Sequence, residues 1–147
     1  MVRRYVIDTC CLINYFGDVF HERPKLSRYV RRLLDQAFSR SPEVILSIPA
    51  ISFVEVFDTH QRNEEFARRF HYEVYTRIEQ CENIEIKPID DEVLENLVKL
   101  RGCLAVHDLH DKLILACAMT LECPLITWDP AIVSLVNATP GLPGALS

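Results

Sequence analysis

The sequence predicts an α/β fold, with a mostly parallel central sheet of about four to five strands and helices on both faces. Short strand-like runs alternate with helical patterns along the whole chain. No internal repeat or low-complexity linker interrupts that alternation. The 147 residues, 49% of them hydrophobic and 25% charged, suit a single domain with a real core.

Residues 4–8 read as the first strand, and Leu12 to Phe16 as the start of a helix. Pro24 to Phe38 is strongly periodic, with Leu26, Val30, Leu33, Leu34 and Phe38 on one stripe. Glu43 to Ile48 reads as the second strand. Pro49 then suits a first helical position, opening a helix to about Asp58. Asn63 to Gln80 is a long polar helix carrying Phe66, Phe70, Val74 and Ile78.

Asn83 to Pro88 alternates as a strand does, and Asp90 or Asp91 caps a helix ending near Gly102. His107 to Leu121 is the most apolar helix. Pro124 to Thr127 is a short buried strand, and Asp129-Pro130 opens a final short helix. These elements predict one domain over residues 1–138, followed by a poorly ordered tail, "TPGLPGALS", at 139–147.

Several function classes fall away. Arg3 and Arg4 lead straight into a strand, and no apolar run is long enough to span a bilayer, so no membrane role and a cytoplasmic location are expected. Cys10, Cys11, Cys81, Cys103, Cys117 and Cys123 include no C-x-x-C pair, which argues against zinc and for buried, reduced thiols. Without secretion, the Asn137-Ala138-Thr139 triplet is idle.

The net charge of −5 argues mildly against nucleic acid, but acids gathered in one site lower the total without making the whole surface acidic. Lys25, Arg28, Arg31 and Arg32 are spaced to share one side of a helix, and Arg68-Arg69 make a second basic group. That first face is either simply solvated or an RNA-backbone contact through Arg28, Arg31 and Arg32.

Four acids stand in awkward places. Asp8 follows Tyr5-Val6-Ile7, and Asp129 follows the strand of "PLITWDP"; both have helix capping as the ordinary reading. Glu55, in "PAISFVEVFDTH", continues the stripe of Ile51 and Val54, where an unpaired acid is costly. Asp111 lies on the line of Ile114 and Ala118, unless it is only a first-turn acid favoured by the helix dipole. In open parallel sheets ligands bind beyond the carboxyl ends of the strands, where two of the acids stand. Four carboxylates converging there would repel one another unless a cation neutralised them, and oxygen-only ligation selects Mg²⁺ or Mn²⁺. Asp108, one helical turn before Asp111, is a cap or an outer acid. His107 and His110 read as surface residues.

The motifs "YVIDTCCLI", "IPAISFVEVFD" and "HDKLILACAMTLECPLITWDP" resemble, in order and spacing over nearly the whole chain, the PIN-domain nucleases. That family includes the VapC-like toxins of toxin–antitoxin pairs. The resemblance implies a parallel sheet sandwiched by helices and Mg²⁺- or Mn²⁺-dependent RNA cleavage by a metal-activated water. It matches Asp8, Glu55, Asp111 and Asp129 to the acidic quartet, with Thr9 as a hydroxyl neighbour. It also implies a small antitoxin partner and a homodimer, although a freestanding nuclease fits equally. The chain departs from the family at Cys10, where many members have Asn two residues after the first Asp, and at Pro130. Two other readings compete. A non-catalytic PIN-like scaffold would have lost one of the acids, and none is missing. A phospho-accepting receiver domain would need a late Lys that "PLITWDP" does not offer.

Overall fold

Among the described residues, five parallel strands form the frame. The computed structural model describes residues 1–59, 63–100 and 109–147. Its strands are β1 (Arg3–Ile7), β2 (Val44–Pro49), β3 (Ile84–Lys87), β4 (Leu125–Ile126) and β5 (Ala145–Leu146), in the order β3-β2-β1-β4-β5. Every pairing is parallel. β1 is central, and its side chains alternate between two cores: Tyr5 and Ile7 join one, Val6 the other. Burial on both faces explains why Tyr5-Val6-Ile7 is apolar throughout.

The helices among the described residues are α1 (Thr9–Tyr15), α2 (Gly17–Phe20), α3 (Arg28–Phe38), α4 (Ala50–Thr59), α5 (Glu64–Arg69), α6 (Thr76–Gln80), α7 (Asp91–Lys99), α8 (Leu109–Leu121) and α9 (Pro130–Ala138). Leu12 of α1, Leu34 of α3 and Ile78 of α6 cover one face of the sheet. Val93 of α7, Ile114 of α8 and Ile132 of α9 cover the other. α4 serves both cores, giving Phe53 and Val56 to the first and Ile51 to the second.

Phe70–Tyr75, between α5 and α6, is π-helical. The reason lies in the spacing of Phe66, Phe70, Val74 and Ile78. A four-residue repeat drifts around a helix of about 3.6 residues per turn, and the wider π turn brings it back onto the core.

Five expectations need correction. The helix expected from Pro24 begins at Arg28, because Ser27 Oγ accepts the Val30 N–H at 3.1 Å and caps it there. Lys25 is therefore in a loop and not on the basic helix face. Pro49 ends β2, paired in register with Lys87, and does not open α4. Val54 is 55% exposed, so the buried stripe of α4 runs through Ile51, Ser52, Phe53 and Val56 instead. The sequence also concealed α2. Finally, the tail expected to be loose contributes β5: the Leu125 and Thr127 N–H groups donate to Gly144 O and Leu146 O, both at 2.9 Å. Those strand-edge groups would otherwise need water.

Cys11, Cys81, Cys117 and Cys123 are buried free thiols, while Cys10 is half-buried. Among the described residues no helix is long and apolar enough to cross a membrane.

Candidate active site

From β1 the chain builds outward through β2 and β3, then returns to lay β4 and β5 on the other side. The strand order therefore reverses between β1 and β4. α1 leaves β1 into the first core and α9 leaves β4 into the second, which opens a crevice at the strands' carboxyl ends. Asp8 is the first residue past β1, and its N–H donates to Ile126 O at 2.8 Å. Thr127, Trp128 and Asp129 leave β4 beside it.

A cavity of about 510 Å³ occupies this crevice, and Asp8, Glu55, Asp111 and Asp129 all line it. The four come from the end of β1, the middle of α4, the first turn of α8 and the start of α9. The acids that the sequence singled out are thus brought onto one surface. Thr9 lines it too. Asp108 and His107 lie outside the described residues. Arg28 and Arg32 are exposed on α3, and Arg31 rests with its guanidinium 5.9 Å from the centre of the Tyr15 ring. None of the three arginines lines the acid cavity.

Asp8 occupies the N-cap position of α1, yet its side chain makes no cap hydrogen bond. Oδ2 instead accepts the Thr127 hydroxyl at 2.7 Å and the Cys10 thiol at 3.5 Å. Burial pushes the Asp8 carboxyl above its ordinary pKa; the Thr127 hydroxyl opposes this, and the charge of Asp111 reinforces it. Glu55 is raised in the same way, first by burial. The Thr9 hydroxyl and His110 pull it down, while Asp8 and Asp111 push it up.

The Thr9 hydroxyl donates to Glu55 Oε1 at 3.1 Å and lies 2.9 Å from the Ser52 hydroxyl. Asp129 both caps and lines the cavity: its Oδ1 accepts the Ala131 N–H at 3.0 Å. No three His, Cys, Asp or Glu side chains among the described residues are already gathered tightly enough to hold an ion.

Of the buried polar residues among those described, Asp8, Thr9, Ser52 and Thr127 all cluster here. Desolvated polar groups are tolerated when paired, and these pair with one another or with the acids. Sequence reasoning overlooked Ser52, Thr127 and Trp128. A hydroxyl on an otherwise apolar helix face and the chain's one tryptophan beside Asp129 were the available signals.

Fold and site together define an α/β domain with an acid-lined crevice at its topological switch point. The chain belongs to the PIN-domain family, whose model, described as PIN domain, matches residues 5–135. No curated protein matches it.

Solved structures share the fold over nearly the full chain. A chain of VapBC2 from Rickettsia felis, bound to a promoter DNA fragment, is 14% identical, with 98% of this chain and 99% of that one covered at a TM-score of 0.63. One of VapBC-5 from Mycobacterium tuberculosis is 18% identical, with 98% of each chain covered at a TM-score of 0.60. One from a toxin–antitoxin complex of Klebsiella pneumoniae is 25% identical, with 97% and 96% covered at a TM-score of 0.55.

Proposed function

We propose that this chain is a metal-dependent endoribonuclease and the toxin of a toxin–antitoxin pair. The observation that carries the reading is the placement of Asp8, Glu55, Asp111 and Asp129 around one cavity at the switch point. Their donor chemistry fits a hard divalent cation: the carboxylates are all oxygen donors, and burial, reinforced by like charge, already raises the pKa of Asp8 and Glu55. Asp8, Glu55, Asp111 and Asp129 would hold Mg²⁺ or Mn²⁺. Such an ion, when bound, neutralises the acids, polarises the phosphodiester and lowers the pKa of water.

The chain's own hydroxyls keep the acids in place. Thr127 orients Asp8, and Thr9 orients Glu55. In-line attack by water expels the 3′ oxygen, leaving 5′-phosphate and 3′-hydroxyl ends. No side chain bonds covalently to the substrate, so Cys10 and Cys11 are dispensable to the chemistry. Arg28, Arg31 and Arg32 would contact RNA backbone outside the cavity. Replacing all three with Ala should flatten the salt dependence of RNA binding.

The partner is a small antitoxin, in keeping with the complexes that contain the structural relatives. A basic segment suits an acid-lined cavity on a chain of net charge −5. We assign a homodimer as the working assembly, tested by mass in solution; a strict monomer at high concentration would refute it. The decisive assay titrates Mg²⁺ and Mn²⁺ against cleavage of a labelled RNA. Undiminished cleavage in excess EDTA would overturn the metal reading. Binding without cleavage at any ion concentration would favour a non-catalytic scaffold.

A further inference from the structure

Trp128 is the only tryptophan of the chain. It stands between Thr127, which holds Asp8, and Asp129, and it lines the acid cavity while remaining half-buried. The Lys25 ammonium lies 5.9 Å from the centre of its ring. Lys25 is exposed and makes no ion pair among the described residues.

Its position is not accidental. Asn14, 1% exposed, accepts the Lys25 and Leu26 N–H groups on Oδ1 at 2.8 and 3.3 Å. It donates through Nδ2 to Glu22 Oε1 at 3.1 Å and to Arg23 O at 2.9 Å. A buried amide with its hydrogen-bonding capacity engaged on one loop anchors the Lys25 backbone to α1. Only the flexible side chain is left to swing over the ring.

We propose that Trp128 is a stacking platform for an unpaired nucleobase next to the cleaved phosphate, with Lys25 as the phosphate contact that uncovers it. The proposal rests on the nuclease reading and adds to it the side chains that would hold the base beside the cut. On a chain of net charge −5, charge attraction for a phosphodiester is limited even when a bound cation neutralises the four carboxylates. Base stacking attracts it regardless of charge, and every base offers a face for it. At 5.9 Å the ammonium is at the outer reach of a cation–π contact, so a phosphate draws it off the ring at little loss. The vacated face then receives the base. In a duplex both faces of each base are already covered, so only unpaired nucleotides qualify.

A sole tryptophan makes the test direct, because all tryptophan fluorescence comes from this cavity. The intact protein is titrated with a single-stranded RNA oligonucleotide, and with the same oligonucleotide annealed to its complement, using Ca²⁺ in place of Mg²⁺ to suppress cleavage. The single strand should quench the emission saturably, and the duplex far less. Trp128→Ala should weaken single-strand binding by about 5- to 150-fold, while Trp128→Phe, which keeps a ring, should retain most of it. Lys25→Met should lower the salt slope of binding by about one phosphate.

Single-strand binding without quenching, equal binding of duplex, or unchanged binding and cleavage by Trp128→Ala would each overturn the stacking role. In those cases cleavage by the parent protein would leave the nuclease reading standing. A parent protein that neither binds nor cuts RNA overturns both.

Discussion

β1 and β4 end in the same local pattern, an apolar strand running into an aspartate and a helix, yet the two aspartates are used differently. Asp129 caps α9 in the ordinary way. Pro130 occupies the first helical position and has no N–H to satisfy, so Oδ1 reaches the Ala131 N–H directly. Asp8 stands at the equivalent position of α1 and caps nothing with its side chain. Asp8 is 5% exposed as a residue; its backbone carbonyl accepts the Cys11 and Leu12 N–H groups, while its carboxylate is turned to Thr127 and the cavity. A buried carboxylate withheld from the available cap is costly to stability. That makes Asp8 the stronger mark of function, and Asp129 a residue that serves both ends.

Asp8→Asn should have the largest effect. RNA cleavage should fall by about 100-fold or more, roughly 2.7 kcal/mol of transition-state stabilisation. The metal-free variant should nevertheless melt no lower than the parent, since a desolvated charge has been removed. The pH dependence carries the same sign. Asp8 and Glu55 are raised in the folded protein, so the folded state takes up protons before the unfolded chain does. Without metal, stability should therefore rise as pH falls through their raised values, and level off below the ordinary carboxylate range. Asp8→Asn should show less of that rise. Melting curves across pH would reveal this, and a stability that only falls on acidification would refute the desolvated-acid account.

Asp111→Asn comes next. As a first-turn helix acid alone, it would cost about 0.3–1 kcal/mol and spare activity. As one of the converging carboxylates it should leave the metal-free protein as stable or slightly more so. It should also reduce the rise in Tm on adding Mg²⁺ and cut cleavage by about tenfold or more. A variant that melts lower, responds normally to Mg²⁺ and still cuts RNA would sink its place in the site.

Thr127→Val keeps the shape and removes the hydroxyl that Asp8 accepts. The orphaned carboxylate should cost about 1–3 kcal/mol in thermal unfolding, with a smaller loss of cleavage than Asp8→Asn. The gentlest test separates the two uses of Asp129. Asp129→Asn keeps the cap and should hold stability within a few tenths of a kcal/mol, while Asp129→Ala should lose about 1 kcal/mol. Both should lower cleavage alike, if only severalfold. Equal stability of the two variants would show that the cap seen in the structure contributes nothing.

Local sequence determined much of this protein. Alternating strand and helix signals defined the α/β class, and a cap at Asp90 or Asp91 and another at Asp129 were visible because a cap and its helix lie within a few residues; the structure chose Asp90 for the first. Asp8, Glu55 and Asp111 stood out because a charge beside an apolar run is conspicuous within one turn or strand. Tertiary structure decided the rest. The strand order, the pairing of the tail as β5 and the donation of the Thr127 hydroxyl to Asp8 across 119 residues have no local signature. The same holds for Lys25, which reads as part of a basic helix face in sequence until Ser27 starts the helix late and Asn14 ties the preceding loop to α1. Periodicity and charge placement act over one helical turn or one strand, whereas a sheet's order and a loop's resting place are set by contacts between segments far apart in the chain.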